Sequence, residues 1–241
     1  MKNGMKRFQI FLIALLSFSG VTCQLGHDKL DNMAIRKSAE ILGKKVAERF
    51  LNTPHASYGA GQKEHIPYFE VCTWYGALTY ARETNDEELR NQLAERFEPL
   101  FSTEAALLPD PNHVDFNVFG ALALELYLQT EDEKYKILGL PYADTQWEVP
   151  TDSVLTEKAN HYMDDGYTWQ TRLWIDDMYM ITMVQAQAYR VTGDKKYSER
   201  AAKEMVFYLD ELQRPNGLFY HAPDVPFFWG RGNGWMAAGM T

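Results

Sequence analysis

The chain has 241 residues, of which 46% are hydrophobic and 24% are charged. This ordinary globular composition excludes collagen-like, low-complexity and disordered chains. Acidic residues outnumber basic ones by 33 to 24, and the formal net charge is −9. Because nucleic-acid binding needs a basic face, we expect no nucleic-acid partner. Aromatic residues make up 14% of the chain, and their flat faces suit either sugar rings or a large helical core.

The amino-terminal segment is typical of an export signal. Basic residues precede the apolar run 10–16, which is too short to span a bilayer, since spanning takes about 20 residues. Small residues follow this run, and the sequence around Cys23 resembles a bacterial lipoprotein cleavage site. We predict a signal peptide over 1–22 and a mature chain over 23–241. The alternative for the apolar run is a buried core helix.

Export implies a periplasmic protein, or one anchored to the outer membrane of a bacterium through a lipid on Cys23. The other cysteine, Cys72, lies in an apolar stretch, which favours a small buried thiol over a nucleophile. Two cysteines so far apart do not predict a metal site.

Three segments share the pattern of a helix end, a turn and a new helix start. Each has Thr two residues before Asp, at 84–86, 130–132 and 192–194. Asp at such a position caps the next helix by accepting backbone N–H bonds. The uneven spacing of the segments excludes tetratricopeptide repeats, and it predicts helical hairpins with loops of variable length.

Apolar helices alternate with amphipathic ones along the chain. The apolar periodicity predicts helices over 34–46, 119–127 and 178–188, and a charged helix with one apolar stripe over 196–212. This alternation indicates an inner and an outer layer. No segment shows the alternation of a strand. We predict an all-α toroid or barrel of helical hairpins.

The carboxyl-terminal end resembles the start of another apolar helix, over 235–238, without a stop signal. Too few hairpins are visible to close a barrel. We therefore expect a C-terminally truncated domain over 23–241, and the alternative is a frayed natural end.

Three aspartates are candidate functional residues. Asp115 is either a functional carboxylate or the N-cap of the helix that follows it. Asp176 and Asp177 begin an apolar helix, where an unpaired buried carboxylate is costly. Such a carboxylate should pair with a cation or have a raised pKa suited to proton transfer. The alternative is that one of the two satisfies helix N–H groups while the other faces solvent.

The segment 229–235, Trp-Gly-Arg-Gly-Asn-Gly-Trp, combines glycine, aromatic residues and one cation. Glycine allows close approach of a ligand to the backbone, and Arg231 is a forked donor for a carboxylate. Trp229 and Trp235 offer stacking faces. A nucleotide-binding loop is not favoured because no strand precedes the glycines, and a tightly packed aromatic turn is the alternative.

These motifs together resemble the unsaturated glucuronyl and rhamnogalacturonyl hydrolases, glycoside hydrolase families 88 and 105. The resemblance extends from about Trp74 to the last residue, and 229–235 is its most specific part. It is carried, in chain order, by His113–Gly120, Trp174–Met180, the turn 192–194, Gly217–His221 and Trp229–Trp235. It implies an (α/α)6 barrel, which agrees with the hairpins read from periodicity.

The resemblance also implies a reaction on oligosaccharides ending in an unsaturated uronic acid, the product of polysaccharide lyases. An acid protonates C4 of the C4=C5 double bond, water adds at C5, and the resulting hemiketal opens to release the remaining sugar. One carboxyl can serve as acid and then as base. This hydration needs no metal and no cofactor, and the substrates would be lyase products such as those of rhamnogalacturonan.

By position in the motifs, Asp176 matches the proton donor and Asp115 the second aspartate of the family. The candidate substrate contacts are His221, Arg231, Trp235, Trp174 and Trp229, together with Trp74 or Tyr75, of which we take Tyr75.

Two other classes of function remain open on the sequence. One is another (α/α)6 sugar enzyme, either a conventional glycosidase or an epimerase. The other is a non-catalytic, lipid-anchored sugar-binding module. An epimerase is expected to use paired histidines, and only His221 lies in a convincing motif.

Overall fold

The computed structural model describes residues 37–55, 64–150 and 161–241. The predicted signal peptide 1–22 and Cys23 lie outside these residues. The chain divides into two compact units, Met1–Val46 and Ala47–Thr241. In the smaller unit residues 37–46 are helical, and the larger unit contains every candidate site residue.

The larger unit is built mainly of α-helices, so the predicted all-α class is confirmed. Residues 47–51 and 161–163 are helical, and short 3₁₀ turns occur at Glu98–Phe101, Ala105–Leu107 and Thr145–Trp147. The remaining helices are α1 Tyr68–Thr84, α2 Glu87–Glu95, α3 Val114–Asn117, α4 Phe119–Thr130, α5 Glu133–Asp144, α6 Asp177–Thr192, α7 Lys195–Leu212 and α8 Gly230–Gly239.

The three predicted hairpin turns are present between α1 and α2, α4 and α5, and α6 and α7. In each turn one residue has a left-handed backbone, and an aspartate accepts a backbone N–H bond of the helix that follows. The left-handed residues are Asn85, Glu131 and Gly193, and the capping aspartates are Asp86, Asp132 and Asp194. The turn chemistry of the sequence therefore sets the hairpin boundaries.

The helices form the predicted two layers. Helices α1, α4, α6 and α8 lie side by side in chain order, and α2, α5 and α7 each pack on the helix that precedes them. In α4 every residue from Phe119 to Leu126 is buried, whereas α7 buries only Tyr197, Glu204, Tyr208 and Leu212. A helix that is apolar on all sides requires neighbours on all sides, so α4 lies inside and α7 outside.

A short β-hairpin was not predicted. Strands β1, Tyr220–Ala222, and β2, Val225–Phe228, pair antiparallel with Tyr220 opposite Phe228. The strands are too short to show an alternating pattern, which explains why the expectation of no strand was wrong here.

The glycine-rich segment 229–235 is not a loop, because α8 already begins at Gly230. Each glycine inside a helix costs about 1 kcal/mol relative to alanine, so tertiary contacts must stabilise this one. The Asn233 side chain accepts the Phe219 N–H at 2.9 Å and donates to the Phe219 carbonyl at 3.0 Å. This pair of bonds ties the first turn of α8 to the chain just before β1.

Within the described ranges, no helix combines the length and the apolarity that crossing a membrane requires.

We expect Asp194→Ala to lower the free energy of unfolding by about 1 kcal/mol, the usual cost of losing an N-cap. Asp194 Oδ1 accepts the Lys196 N–H at 3.0 Å at the start of α7. Urea unfolding of the full chain measures the change. Asp210→Ala, at an exposed position of the same helix, is the control and should change the value by less than about 0.5 kcal/mol. Equal losses in the two variants would contradict a capping role.

Candidate active site

Asp115 and Asp177 lie beside the guanidinium of Arg172, and Asp176 directly precedes Asp177 in the chain. Asp115 is in α3, and the other two begin α6. Besides burial, the charges of Asp176 and Asp115 raise the pKa of Asp177, so both carboxylates are within electrostatic range of Asp177. The structure thus brings together the two predicted catalytic aspartates, and it adds a cation that the motifs did not assign.

Asp177 is the carboxylate that Arg172 holds. Arg172 Nε donates to Asp177 Oδ2 at 3.1 Å, and Nη2 contacts Oδ1. The Tyr208 hydroxyl donates to Oδ2 at 3.3 Å. The Asp177 side chain is 0% exposed, and this burial raises its pKa to about 6 against the opposing effect of Arg172. The expectation of a cation partner is confirmed for Asp177, and the alternative in which one of the pair faces solvent is wrong for it.

Asp176 is different, because one of its carboxylate oxygens has no partner among the residues that the structure describes. Asp176 occupies the N-cap position of α6, but its side chain caps no backbone N–H. Its Oδ1 is buried and accepts no hydrogen bond from the part of the chain that the structure describes. Leaving a buried carboxylate oxygen unpaired costs free energy, which marks the residue as a candidate for contact with a ligand.

Asp115 is not an N-cap, since that position belongs to His113. The Asp115 N–H donates to His113 Nδ1 at 3.2 Å, and the Asp115 carboxylate lies 3.8 Å from Arg172 Nη2. His113 Nε2 lies 3.0 Å from Arg172 Nη1. Burial and the Arg172 charge lower the pKa of His113 while Asp115 raises it, so the imidazole is held neutral beside the guanidinium.

The sequence motifs assign no role to Arg172 or His113. A signal for Arg172 was available, because a buried carboxylate at 177 demanded a cation and Arg172 is five residues upstream. That spacing alone did not identify it, since the residues between the two are not helical and the contact depends on the local chain path.

Aromatic rings form one wall of the site. The His221 ring lies between Trp174, with centroids 5.2 Å apart, and Trp229, at 5.1 Å. Trp174 is 45% exposed, so its ring is open to a ligand. The Ile175 N–H donates to the His221 carbonyl at 2.9 Å, which fixes the approach to α6 against β1. Arg231 is exposed and lies 4.2 Å over the Trp229 ring, and it forms no ion pair with any described carboxylate.

Trp235 lies apart from this wall. Its ring packs 4.8 Å from Tyr179 and 6.3 Å from Tyr68, between α6 and α1. These contacts join the inner helices, and the half-buried ring keeps part of its surface accessible.

Tyr75 is not brought to the aspartates. Its hydroxyl accepts a hydrogen bond from Gln187 Nε2 at 3.0 Å. Gln187 follows Asp177 by ten residues on α6, which is about 15 Å along a helix. Gln187 also donates to the buried Glu125, which Arg82 and Arg190 neutralise. Tyr75 therefore belongs to a polar cluster that joins the inner helices α1, α4 and α6.

Trp74, the other residue that could match the family aromatic, is a core residue. It is completely buried and donates through Nε1 to the Leu93 carbonyl at 3.1 Å. Burial raises the pKa of the nearby Cys72 thiol to about 12, which agrees with a structural thiol and not with a nucleophile.

A cavity of about 530 Å³ opens beside Arg172. Its volume is in the range of sites for small ligands. It is lined by Asn112–Val114, His161, Tyr162 and Trp169–Arg172. Among the residues that the structure describes, no three His, Cys, Asp or Glu side chains are grouped to hold a metal ion.

Gly232 is required by close packing. A Cβ atom at this position would lie 2.4 Å from Ile175 Cγ2 and 2.8 Å from the Trp229 ring. We expect Gly232→Ala to destabilise the protein by about 1–3 kcal/mol, the usual cost of overpacking, and to change the tryptophan fluorescence by displacing Trp229. Gly234→Ala is the matched control, because its Cβ would meet nothing within 4 Å. Equal effects in thermal unfolding would contradict the close approach.

Comparisons with known proteins identify the family of this chain. The model of Glycosyl Hydrolase Family 88 matches residues 42–241. An unsaturated 3S-rhamnoglycuronyl hydrolase of Alteromonas sp. (strain LOR) is 24% identical over 249 residues, which cover 88% of this chain and 57% of that protein. The chain thus spans little more than half the length of this relative. The resemblance drawn from the motifs is confirmed: the chain belongs to glycosyl hydrolase family 88.

Proposed function

We propose that this protein is an exo-acting hydrolase of oligosaccharides that end in an unsaturated uronic acid. The observation that carries the proposal is the buried, unpartnered Oδ1 of Asp176, beside an open aromatic wall and an arginine free of carboxylate partners in the described chain. A carboxyl in this setting is suited to exchange a proton with a bound ligand.

Asp176 is the proton donor in the proposed reaction. Its carboxyl gives a proton to C4 of the C4=C5 double bond, and water adds to C5 as the carboxylate takes a proton back from that water. The product is a hemiketal at C5, which opens to a ketone at C5 and leaves a hemiacetal at C1. That hemiacetal breaks its bond to the aglycone oxygen, so C1 becomes an aldehyde and the remaining sugar leaves with its hydroxyl group restored. Asp115 is 31% exposed and orients the sugar or the water, while Arg172 holds its carboxylate nearby.

The anionic uronate requires a cation, because the chain as a whole is acidic. Arg231 is suited to this role, since its guanidinium stacks on Trp229 and has no ion pair with a described carboxylate. Stacking on an aromatic face leaves the forked N–H donors available for a carboxylate. Trp174 and Trp229 offer faces for the sugar ring, and His221 offers a buried Nδ1 without a partner among the described residues.

The name of the Alteromonas relative supports a rhamnose-linked unsaturated uronate as the first substrate to test. We also propose that the protein is exported, either to the periplasm or to a lipid anchor on Cys23, where lyase products would reach it.

The test is to incubate the natural full-length protein with lyase-generated oligosaccharides. Hydration of the conjugated double bond should remove its ultraviolet absorbance. The panel should include rhamnogalacturonan, ulvan-type and glycosaminoglycan products, with saturated analogues as controls. Unchanged absorbance across the panel would contradict the proposal, and cleavage of saturated analogues at the same rate would indicate a conventional glycosidase instead.

A further inference from the structure

Glu204 is a buried carboxyl in an outer helix. It lies on α7, whose other charged residues are at least partly exposed, and its own exposure is 0%. The neighbouring buried residues of α7 are Tyr197, Tyr208 and Leu212. A buried carboxyl among such neighbours costs free energy unless it has hydrogen-bond partners, so the partners of Glu204 must account for its place in α7.

Those contacts all go to one turn. The Thr168 N–H donates to Glu204 Oε1 at 2.5 Å. The Thr171 hydroxyl oxygen lies 3.2 Å from both Oε1 and Oε2, and it donates to the Thr168 carbonyl at 2.8 Å. Glu204 thus contacts both the first and the last residue of the turn 168–171.

We infer that Glu204 is a positioning residue that fixes the turn 168–171 and thereby sets the place of Arg172. Arg172 directly follows Thr171, and its guanidinium joins Asp177, Asp115 and His113. A shift of the turn therefore moves the cation around which the carboxylates are arranged. This inference rests on the proposed function only for its kinetic consequence.

The hydrogen bonds close into a ring when Glu204 is protonated. Thr171 has one hydroxyl proton, which it donates to the Thr168 carbonyl. A protonated Oε2 can then donate to the Thr171 oxygen while Oε1 accepts the Thr168 N–H. Burial raises the pKa of Glu204 to about 7, while the Thr168 N–H and the Thr171 hydroxyl, which can donate to the ionised carboxylate, act to lower it. The amide of glutamine has the same arrangement of one acceptor and one donor.

Charged and titratable groups around Glu204 act in both directions. Asp177 of α6 raises its pKa, and Lys203 of α7 lowers it. Tyr208 and Tyr162 also interact with its charge. The comparison with Glu204→Gln reports the titration of Glu204 together with its effect on Asp177, which is the neighbour that titrates in the same pH range.

The test compares Glu204→Leu with Glu204→Gln in the full-length protein. Glu204→Leu leaves the Thr168 N–H without its acceptor, so kcat should fall by about tenfold or more, since misplacing a group by about 1 Å costs on the order of 10²-fold. KM should change less, because the residue proposed to bind the uronate carboxylate is Arg231 and not Arg172. Glu204→Gln should keep nearly the wild-type kcat. Wild-type kcat in Glu204→Leu, or an equal loss in Glu204→Gln, would overturn the inference.

Hydrogen exchange tests the positioning role independently of activity. Amides of peptide 168–172 should exchange faster in Glu204→Leu and at the wild-type rate in Glu204→Gln. Tyr197→Phe is the control, because it removes a contact of the same helix with Asp144 and not with the turn. If Glu204→Leu does not fold, Thr171→Val, which removes the hydroxyl alone, should give the same local increase. Unchanged exchange in the folded variants would overturn the inference, whereas an inactive wild type would contradict the proposed function alone.

The pH dependence of stability gives a further readout. The folded-state pKa of Glu204 lies above the usual value of 4.5, so the native state binds the proton more tightly than the unfolded chain. The contribution of Glu204 to the free energy of unfolding is therefore fully present below about pH 4.5, and it is lost as the pH rises through about 7. The free energy of unfolding of the wild type, relative to Glu204→Gln, should fall over this interval. A constant difference would overturn the neutral-acid arrangement.

Discussion

Asp176→Asn is expected to abolish turnover while leaving substrate binding intact. The amide keeps the shape of the carboxyl but cannot donate an acidic proton to C4, and loss of a general acid costs about 10²–10⁴-fold in rate. Binding should persist because Asp176 Oδ1 has no described partner whose loss would disturb the site. The rate is measured from the loss of ultraviolet absorbance, and the affinity by calorimetric titration of the inactive variant with the same oligosaccharide.

Asp164→Asn is the matched control for Asp176→Asn, because Asp164 is exposed. It should retain the wild-type rate. Thermal unfolding adds a second expectation: Asp176→Asn should be at least as stable as the wild type, since the buried Oδ1 loses no hydrogen bond to a described residue. A nearly normal rate in Asp176→Asn would transfer the acid role to Asp177 or Asp115.

Arg172→Met is expected to have the largest effect on stability. Asp177 is completely buried, and Arg172 is its cationic partner through Nε and Nη2. Breaking a buried pair by removing one partner costs about 3–5 kcal/mol, and Arg172 is 30% exposed, so we expect the lower end of about 3 kcal/mol. Urea unfolding at neutral pH measures this loss, and the double variant Arg172→Met/Asp177→Asn should recover part of it because no buried charge remains.

The effect of Arg172→Met should depend on pH. The pKa of Asp177 is about 6 with Arg172 present, and Arg172 acts to lower it. Because burial raises this pKa and loss of Arg172 would raise it further, removing Arg172 should cost less at pH 5 than at pH 8. Arg172→Lys keeps the charge without the two-pronged geometry and should fall between the wild type and Arg172→Met. A loss that is the same at both pH values would contradict an ion pair between these residues.

The hairpins and their two layers could be read from the sequence. The turns at 84–86, 130–132 and 192–194 depend on an aspartate cap and one left-handed residue, which are local properties of the chain. The layers follow from which helices are apolar on every side, as α4 is, and which have a single stripe, as α7 has.

The segment 229–235 shows where local rules fail. Three glycines disfavour a helix, yet they lie in the first residues of α8, because Asn233 bonds to Phe219 and Gly232 packs against Ile175. Neither partner is a sequence neighbour, so no local pattern could have revealed that the helix predicted from residue 235 onward begins at Gly230. The β-hairpin at 220–228 was not predicted for a related reason. Its strands are stabilised by pairing with each other, and they are too short to show the two-residue hydrophobic alternation of a strand.

By itself the sequence determined the all-α hairpin scaffold, the family and the candidate aspartates, because caps, periodicity and motifs are written in neighbouring residues. Only the tertiary structure decided which aspartate pairs with a cation and which has a carboxylate oxygen without a described partner. It paired Asp177 with Arg172, left an oxygen of Asp176 without a described partner, and placed Tyr75 about three turns away along α6. Those distinctions depend on burial and on contacts between distant segments. Asp176 and Asp177 are neighbours of the same type, so their positions in the sequence alone do not tell them apart.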